Sequence, residues 1–286
     1  MCLLLHMVQR KSSAYTLNCN GRLLALTRPV VMGIINTTPD SFYSDSRKQN
    51  IDTALAQAEQ MLADGATILD LGGQSTGPGK PQVDAATEAA RVVPVIAAIH
   101  QRFPEAFISV DTYFAQVARE SAEAGACIIN DVSGGTLDMA MLDTVAGLKL
   151  PYVCMHMKGT TETMQQFAHY ENVTREVLDF FIERLEACRQ AGIHDVIIDP
   201  GFGFAKTIAH NFQLLKEMHL LQILEKPVLL GISRKSTIYK TLHITPEEAL
   251  NGTTVLHTVG LQNGAVILRA HDVKEAMQAI QLMQHL

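Results

Sequence analysis

Polar residues follow short apolar runs at several points along the chain, and their types suit the binding of a heterocycle. Asp111 and Asp199 can accept hydrogen bonds, Asn130 can accept and donate them, and the ammonium group of Lys235 can donate. Such a mixed set matches the edge of a flat ring system that carries amino and N–H donors beside carbonyl and ring-nitrogen acceptors. We therefore expect these four residues to bind an aminopyrimidinone.

A second set of strand-end residues suits an anion. Arg269 and His271 alternate onto one face at the end of the last apolar run, and both can carry positive charge. Asn36, at the end of the first run, can give a carbonyl oxygen to Mg²⁺, which often bridges phosphates. This set predicts a diphosphate site with Asn36 as a metal ligand.

Helix capping is the structural alternative for any one of these polar residues, because Asp and Asn are favoured at helix N-termini. Taken together, several carboxylates at one buried edge are costly unless cations, a metal or a donor-rich ligand accompany them.

Alternation along a strand also predicts that one of Asn130 and Asp131 lines the site while the other turns outward, and that Ser233 and Lys235 share a face.

The elements that must position these residues form a regular series in which an apolar run precedes a helix-length amphipathic segment. The predicted strands are Val30–Asn36, Thr67–Gly72, Phe107–Asp111, Cys127–Asp131, Tyr152–Met157, Val196–Asp199, Val228–Ser233 and Ala265–His271. The predicted helices are Asp52–Asp64, Asp84–Gln101, Ala115–Ala124, Asp138–Ala146, Tyr170–Ala191, Ala209–Leu220, Pro246–Val259 and Val273–Gln284.

The predicted fold class is α/β, a single (β/α)8 barrel of the TIM type over residues 30–286. Continuous apolar strands indicate a parallel sheet buried on both faces, and eight strand–helix units in a chain of this length indicate closure. An open doubly wound sheet would need a GxGxxG turn after its first strand, and the sequence has none. In such barrels the active site lies at the carboxyl ends of the strands, where the polar residues fall.

Residues 1–29 lie outside the eightfold pattern and form a predicted N-terminal extension. Tyr15–Leu17 and Leu23–Leu26 flank Asn20-Gly21, a pair that supplies the positive φ angles of a tight hairpin turn. We expect this β-hairpin to plug the closed end of the barrel.

Composition indicates a globular protein whose partner is a small molecule. Of the 286 residues 47% are hydrophobic and 18% charged, enough for a large core, and the five cysteines show no CxxC or zinc-ligand spacing. A net charge of -6 gives no general attraction to nucleic acid or anionic lipid. No apolar stretch reaches the length of a membrane span, and the N-terminus lacks a signal-peptide pattern, so we expect a cytoplasmic protein.

From Val31 to about Val273 the sequence resembles the dihydropteroate synthase family in a series of motifs, each at its own strand end. The matching segments are MGIINTTPDSF (Met32–Phe42), DLGGQST (Asp70–Thr76), SVDT (Ser109–Thr112), IIND (Ile128–Asp131), MHM (Met155–Met157), DPGFGFAK (Asp199–Lys206), SRKS (Ser233–Ser236) and RAH (Arg269–His271). Each segment alone is a weak signal, but their order along the chain is highly specific.

The resemblance implies roles for individual residues. The pterin would be held by Asp111, Asn130, Asp199 and Lys235, over a floor formed by Met155, with Lys206 near the site. The diphosphate would be held by Arg269 and His271, with Thr76 nearby and Asn36 binding Mg²⁺. The 4-aminobenzoate pocket would be formed by Pro39, Phe42, Phe204, Lys235 and Ser236. Members of the family are usually homodimers through the later helices.

The implied reaction condenses a dihydropterin methyl diphosphate with 4-aminobenzoate in folate biosynthesis. The C–O bond ionises first and the arylamine then attacks the pterin methylene cation, so catalysis is electrostatic. The implied catalytic residues are Asp40, which would stabilise the cation, and Lys235, Arg269 and His271.

The second loop departs from the family pattern GGESTRPG, because this chain reads GGQSTGPG. Gln74 replaces a Glu and Gly77 replaces an Arg, whose bidentate anion contact no neutral residue reproduces. Lys80 could supply the missing charge. Two alternatives remain at this point: a non-catalytic paralogue that binds pterin, and a methyltetrahydrofolate corrinoid methyltransferase, which would lack the anion-binding motifs.

Overall fold

A computed structural model describes residues 15–37, 47–74 and 82–286, with side chains from residue 50 onward in the first helix. The strands are β1 (Tyr15–Cys19), β2 (Arg22–Leu26), β3 (Val30–Asn36), β4 (Ile68–Gly72), β5 (Phe107–Asp111), β6 (Ile128–Asp131), β7 (Tyr152–Met155), β8 (Val196–Asp199), β9 (Val228–Leu230) and β10 (Ala265–Ala270). The helices are α1 (Arg47–Ala63), α2 (Ala85–Arg102), α3 (Ala115–Glu123), α4 (Met141–Leu148), α5 (Val173–Ala191), α6 (Ile208–Glu217), α7 (Ser236–Leu242), α8 (Leu250–Gln262) and α9 (Val273–Met283).

Strands β3 to β10 form a closed parallel barrel in which each strand pairs with its sequence neighbours and β10 pairs with β3. The predicted barrel is therefore confirmed. Two strands are shorter than expected, since β7 ends at Met155 and β9 at Leu230. Helix α7 was not predicted, because it is short and begins immediately after the polar segment that follows β9.

Alternating side chains build two cores on the two sides of the barrel wall. Outward-facing residues such as Leu69 and Val110 pack against helix residues such as Ile96 and Val177, all fully buried. Inward-facing residues at the amino ends of the strands form a second cluster, which includes Met32 and also takes in the hairpin. The barrel floor is therefore filled with apolar side chains, and only its opposite end is available for a polar site.

The β1–β2 hairpin closes that floor, as predicted. Its tight turn has positive φ at both Asn20 and Gly21, while Leu17 and Leu24 are buried in the floor cluster. Its backbone is also fixed to the residue that precedes β8, since Asn18 N donates to Asp195 Oδ2 at 2.7 Å. None of the helices within the described ranges is long and apolar enough to cross a membrane.

Candidate active site

Arg269 lies at the centre of the barrel mouth and joins the ends of three strands. Its Nε donates to Asp70 Oδ2 at 2.6 Å, and its Nη2 donates to Asp111 Oδ2 at 2.7 Å. Asn130 Nδ2 also donates to Asp70 Oδ2, at 3.1 Å. Residues from β10, β4, β5 and β6 thus form one connected polar network.

The network leaves acceptors unused. Within the part of the chain that the structure describes, the buried Oδ1 atoms of Asp70 and Asp111 have no hydrogen-bond partner. Burial raises the pKa of Asp111 to about 7, and the nearby Arg269 opposes this rise. Two buried carboxylates with free oxygens and a single shared cation favour a ligand that brings N–H donors into the mouth.

Asp199 and Lys235 form the opposite side of the mouth. Gly201 N donates to Asp199 Oδ1 at 2.8 Å, and Lys235 Nζ donates to the carbonyl of Phe202 at 2.5 Å. Both side chains converge on Gly231, where an added Cβ would lie 3.5 Å from Asp199 Oδ2 and 3.7 Å from Lys235 Nζ. Burial lowers the pKa of Lys235 to about 8, while burial raises the pKa of Asp199.

The route by which Lys235 reaches the mouth differs from the prediction of simple strand alternation. The ladder ends at Leu230, and Arg234 adopts a left-handed backbone with φ of 53°. This conformation is held from outside, because the guanidinium of Arg234 donates to Asp272 twice and its backbone N donates to Thr253. Lys235 is therefore turned inward by the loop before α7, and no strand alternation operates there.

An apolar wall adjoins Lys235. Met155 and Phe204 are buried in one cluster with Tyr113 and Val132, and the ammonium of Lys235 lies 4.7 Å from the centroid of the Phe204 ring. Such a wall suits the face of an aromatic ligand whose edges meet the polar groups. Ser236, half-buried at the start of α7, follows directly.

His271 and Asn36 lie at the rim, where both are exposed. Ser233 Oγ is 3.1 Å from His271 Nδ1 and accepts from His271 N at 3.2 Å. Partial desolvation of its ring, with the charge of Arg269, lowers the pKa of His271 to about 4. Asn36 ends β3 beside Gly72, and its single amide oxygen suits a Mg²⁺ ion that takes its other ligands from water and phosphate.

Lys206 was predicted as a pterin-site residue, but its side chain is buried among protein groups. Only 4% of it is exposed, and its Nζ lies 2.8 Å from His156 Nδ1, 3.0 Å from the carbonyl of Gly201 and 3.1 Å from that of Phe204. Its amine is thus engaged by protein groups behind the turn that follows β8. Direct contact with a pterin stays a prediction.

Two findings concern the polar residues at the strand ends. Asn130 lines the mouth, whereas Asp131 faces outward and accepts from Ser133, Gly135 and Tyr152, so the predicted division of this pair is confirmed. Helix capping does not account for the site, because the N-cap of α3 is Phe114, that of α4 Ala140 and that of α6 Thr207.

Asp70 was not predicted as a site residue, although its carboxylate is fully buried and accepts hydrogen bonds from both Arg269 and Asn130. The available signal was a carboxylate within the buried strand β4, in register with Ser109 on β5. Its role could not be read from residue type alone, because it binds other protein residues and thereby orders the site.

The base of the second loop is fixed by Gln74. Its Oε1 accepts from Val83 N at 3.0 Å, and its Nε2 donates to Glu88 Oε2 at 3.4 Å. Burial raises the pKa of Glu88 to about 7. A neutral amide at position 74 therefore avoids placing two buried carboxylates side by side.

Several predicted residues lie outside the described residues. These are Pro39, Asp40 and Phe42 in the first loop, and Thr76, Gly77 and Lys80 in the second. Their roles stay predictions.

Comparisons with known proteins agree with this geometry. The sequence model of a family described as pterin binding enzyme matches residues 32–271. Dihydropteroate synthase of Escherichia coli (strain K12) is 42% identical over 266 residues, which make up 92% of this chain and 94% of that protein. A solved structure of Xanthomonas albilineans dihydropteroate synthase with 4-aminobenzoic acid has a TM-score of 0.89 at 40% identity, covering 95% of this chain and 98% of that one. Another from that organism, in complex with 7,8-dihydropteroate, has a TM-score of 0.85 at 38% identity, with the same coverage.

Proposed function

We propose a function for this chain from the premise that it belongs to the family of pterin-binding enzymes, whose sequence model matches residues 32–271. The chain is a transferase that catalyses the dihydropteroate synthase reaction. It condenses a dihydropterin methyl diphosphate with 4-aminobenzoate and releases 7,8-dihydropteroate and diphosphate. Solved structures of similar proteins contain 4-aminobenzoate or dihydropteroate, which supports these substrates.

The polar mouth of the barrel is the observation that carries this proposal. Asp111, Asn130 and Asp199 offer two carboxylates and an amide from three strand ends, and Lys235 offers an ammonium group from the loop before α7, all around one opening. A pterin ring presents complementary donors and acceptors along its edge. Its flat face would lie against the wall that contains Met155.

The rim of the mouth suits the leaving group. Arg269 uses Nε and Nη2 to hold Asp70 and Asp111, and its Nη1 takes no part in either bond. We assign this nitrogen, together with His271, to the diphosphate. As the methylene C–O bond breaks, its electron pair leaves with the diphosphate, so the positive charge of Arg269 stabilises the transition state and the neutral imidazole of His271 contributes a hydrogen bond. The arylamine nitrogen then bonds to the methylene carbon and loses a proton.

Mg²⁺ would be held by Asn36 and by the diphosphate, and it would supply charge neutralisation of the leaving group. We further propose that Thr76 lies near the diphosphate and that Asp40 stabilises positive charge on the pterin methylene. Phe204, Ser236 and the loop residues Pro39 and Phe42 would enclose 4-aminobenzoate.

The chain is also proposed to act in the cytoplasm as a homodimer. The support for the dimer is that Leu242 on α7 and Val255 on α8 expose about half of their surface, 51% and 53% respectively. Exposed apolar residues on adjacent helices favour burial against a second copy. Sedimentation analysis tests this proposal.

A paired assay tests the reaction and separates it from the non-catalytic alternative, which Gly77 favours. Release of diphosphate and formation of dihydropteroate are measured for wild type and Gly77→Arg, with each substrate and Mg²⁺ omitted in turn. We expect wild type to turn over only when both substrates and Mg²⁺ are present. If wild type binds pterin without turnover while Gly77→Arg is active, the chain is a pterin-binding paralogue.

A further inference from the structure

A buried lysine closes the turn that follows β8. Lys206 Nζ contacts His156 Nδ1 and the carbonyl oxygens of Gly201 and Phe204, all within 3.1 Å. An ammonium group would donate to all three atoms, and a neutral amine would donate to the two carbonyls and accept from His156 Nδ1, so in either state its hydrogen-bonding capacity is used up within the protein. A lysine in this state cannot also hold a ligand without giving up one of these bonds.

The closed turn includes one residue, Ala205, whose backbone conformation its residue type does not favour. Gly201, Gly203 and Ala205 all have positive φ, at 71°, 84° and 47°. Ala205 is not a glycine, and a residue with a side chain persists in the left-handed region only where surrounding contacts hold it. The bonds from Lys206 to the carbonyls at both ends of the turn provide such contacts.

The same turn carries three groups that contact Asp199 or Lys235, the two pterin-site residues on this side of the mouth. Gly201 N donates to the carboxylate of Asp199, and the Phe202 carbonyl accepts from Lys235 Nζ. The ring of Phe204 lies beneath the ammonium of Lys235. A shift of this turn would therefore move the partners of both Asp199 and Lys235.

His156 anchors the lysine from the neighbouring strand. It follows β7, its backbone N donates to the Asp199 carbonyl at 3.0 Å, and its ring packs edge-on against Phe180. Burial holds the pKa of Lys206 well below its usual range, with Lys235 and Lys158 acting in the same direction and Asp199 opposing them. Burial and the adjacent Lys206 likewise hold the pKa of His156 well below its usual value.

We infer that Lys206 and His156 are positioning residues for pterin binding, which act by holding the turn 201–204 against Asp199 and Lys235. This inference rests on the proposed function, because it concerns the same pterin site. In this role Lys206 supports the turn from behind the pterin site and does not contact the ligand itself.

Equilibrium binding of 6-hydroxymethyl-7,8-dihydropterin and steady-state kinetics test the inference on matched variants. Lys206→Met keeps the length of the side chain and removes the amine. His156→Leu removes the ring nitrogen that contacts Lys206, whereas His156→Asn keeps a polar side-chain group near the position of Nδ1. Val145→Ala, at a fully buried site on α4, serves as the control for loss of stability alone.

We expect Lys206→Met and His156→Leu to weaken pterin binding and raise KM for the pterin substrate about tenfold or more, because small displacements of site groups are costly. KM for 4-aminobenzoate should change less. His156→Asn should recover much of the affinity, and Val145→Ala should lower Tm without changing either KM. Unchanged pterin affinity in Lys206→Met, or equal effects of Val145→Ala, would overturn the inference.

Failure of the inference is distinguishable from failure of the proposed function. The binding measurement requires no turnover, so it reports on the turn even if wild type forms no dihydropteroate. Conversely, wild-type turnover with pterin affinity unaffected by Lys206→Met keeps the proposed function and rejects the positioning role. If Lys206→Met does not fold, the pair His156→Leu and His156→Asn decides the question alone.

Discussion

Arg269 is the cation on which two buried carboxylates depend, so its removal should affect stability as well as binding. In Arg269→Met, Asp70 and Asp111 would keep their burial and lose their partner. Breaking a buried ion pair by removing one member costs roughly 3–5 kcal/mol. We expect a loss of this order in urea unfolding, together with loss of turnover.

The control for this variant is Arg189→Met, which breaks an exposed ion pair with Glu186 on α5. Solvent screens that pair, so stability should be unchanged within error. Equal losses in the two variants would contradict the importance of burial at the barrel mouth.

Pterin binding should be strongest in a narrow pH window set by Asp111 and Lys235. Asp111, with a pKa of about 7, accepts N–H donors only as a carboxylate, so binding should weaken as pH falls below that value. Lys235, with a pKa of about 8, donates as an ammonium, so binding should weaken as pH rises above it. Calorimetric titration across this range measures the profile, and Asp111→Asn should remove its acidic limb. If the pterin affinity of wild type does not change across this pH range, protonation of Asp111 and Lys235 does not control binding.

Residue types at strand ends were sufficient to predict most of the cluster, because barrel geometry brings strand ends together. Asp111, Asn130, Asp199 and Arg269 fall where alternation and register place them. Lys206 shows the limit of that reasoning. Its amine contacts two local carbonyls, those of Gly201 and Phe204, and the distant His156, a contact that sequence patterns do not encode.

At the scale of elements, the hairpin should stabilise the barrel without taking part in the chemistry, since it closes the opposite end. Leu24→Ala would leave a cavity in the floor cluster, and buried Leu→Ala changes cost about 2–5 kcal/mol. We expect a lower free energy of unfolding with kcat unchanged.

The matched control is Leu23→Ala on the same strand, where the side chain is 69% exposed. It should leave stability nearly unchanged. A fall in kcat for Leu24→Ala under conditions where the protein stays folded would contradict this prediction, because it would mean that the hairpin affects the geometry of the active site.

Elements were predicted with the accuracy that local patterns allow. The hairpin turn at Asn20-Gly21 and the eight barrel strands follow from residue type and apolar runs. The early end of β9 was not predictable, because Gly231 and Ile232 continue the apolar run while the backbone already leaves the ladder. Helix α7 was not predicted because it is too short to show a helical pattern of apolar residues.

For the whole molecule, the buried histidines contribute a loss of stability in acid because folding keeps them neutral. Burial lowers the pKa of His257 to about 4 and that of His156 well below its usual value. Between pH of about 6.5 and about 4 these histidines take up protons in the unfolded chain but not in the folded chain, so their contribution to stability falls as pH falls. Asp111 and Glu88, whose pKa values burial raises to about 7, act in the opposite direction. Unfolding free energies measured across this window test the prediction.

His257→Leu should reduce the slope of stability against pH in that window, because it removes one site of proton uptake on unfolding. His219→Ala removes an exposed imidazole and should leave the slope unchanged. An identical slope in wild type and His257→Leu would contradict the assignment.

The architecture as a whole was predictable because eight buried parallel strands with short connections have few ways to close. The fold alone would not have indicated the reaction, since barrels of this kind support many chemistries. The function follows from which polar residues end the strands and from how Arg269, Asp70 and Asp111 are joined.

The most direct test of the central claim is a crystal structure of this chain with 7,8-dihydropteroate bound. We predict that the pterin ring lies in the barrel mouth within hydrogen-bonding distance of Asp111, Asn130, Asp199 and Lys235, with the benzoate directed towards Phe204. A product bound elsewhere, or a pterin that contacts none of these four side chains, would contradict the assignment of the mouth as the pterin site.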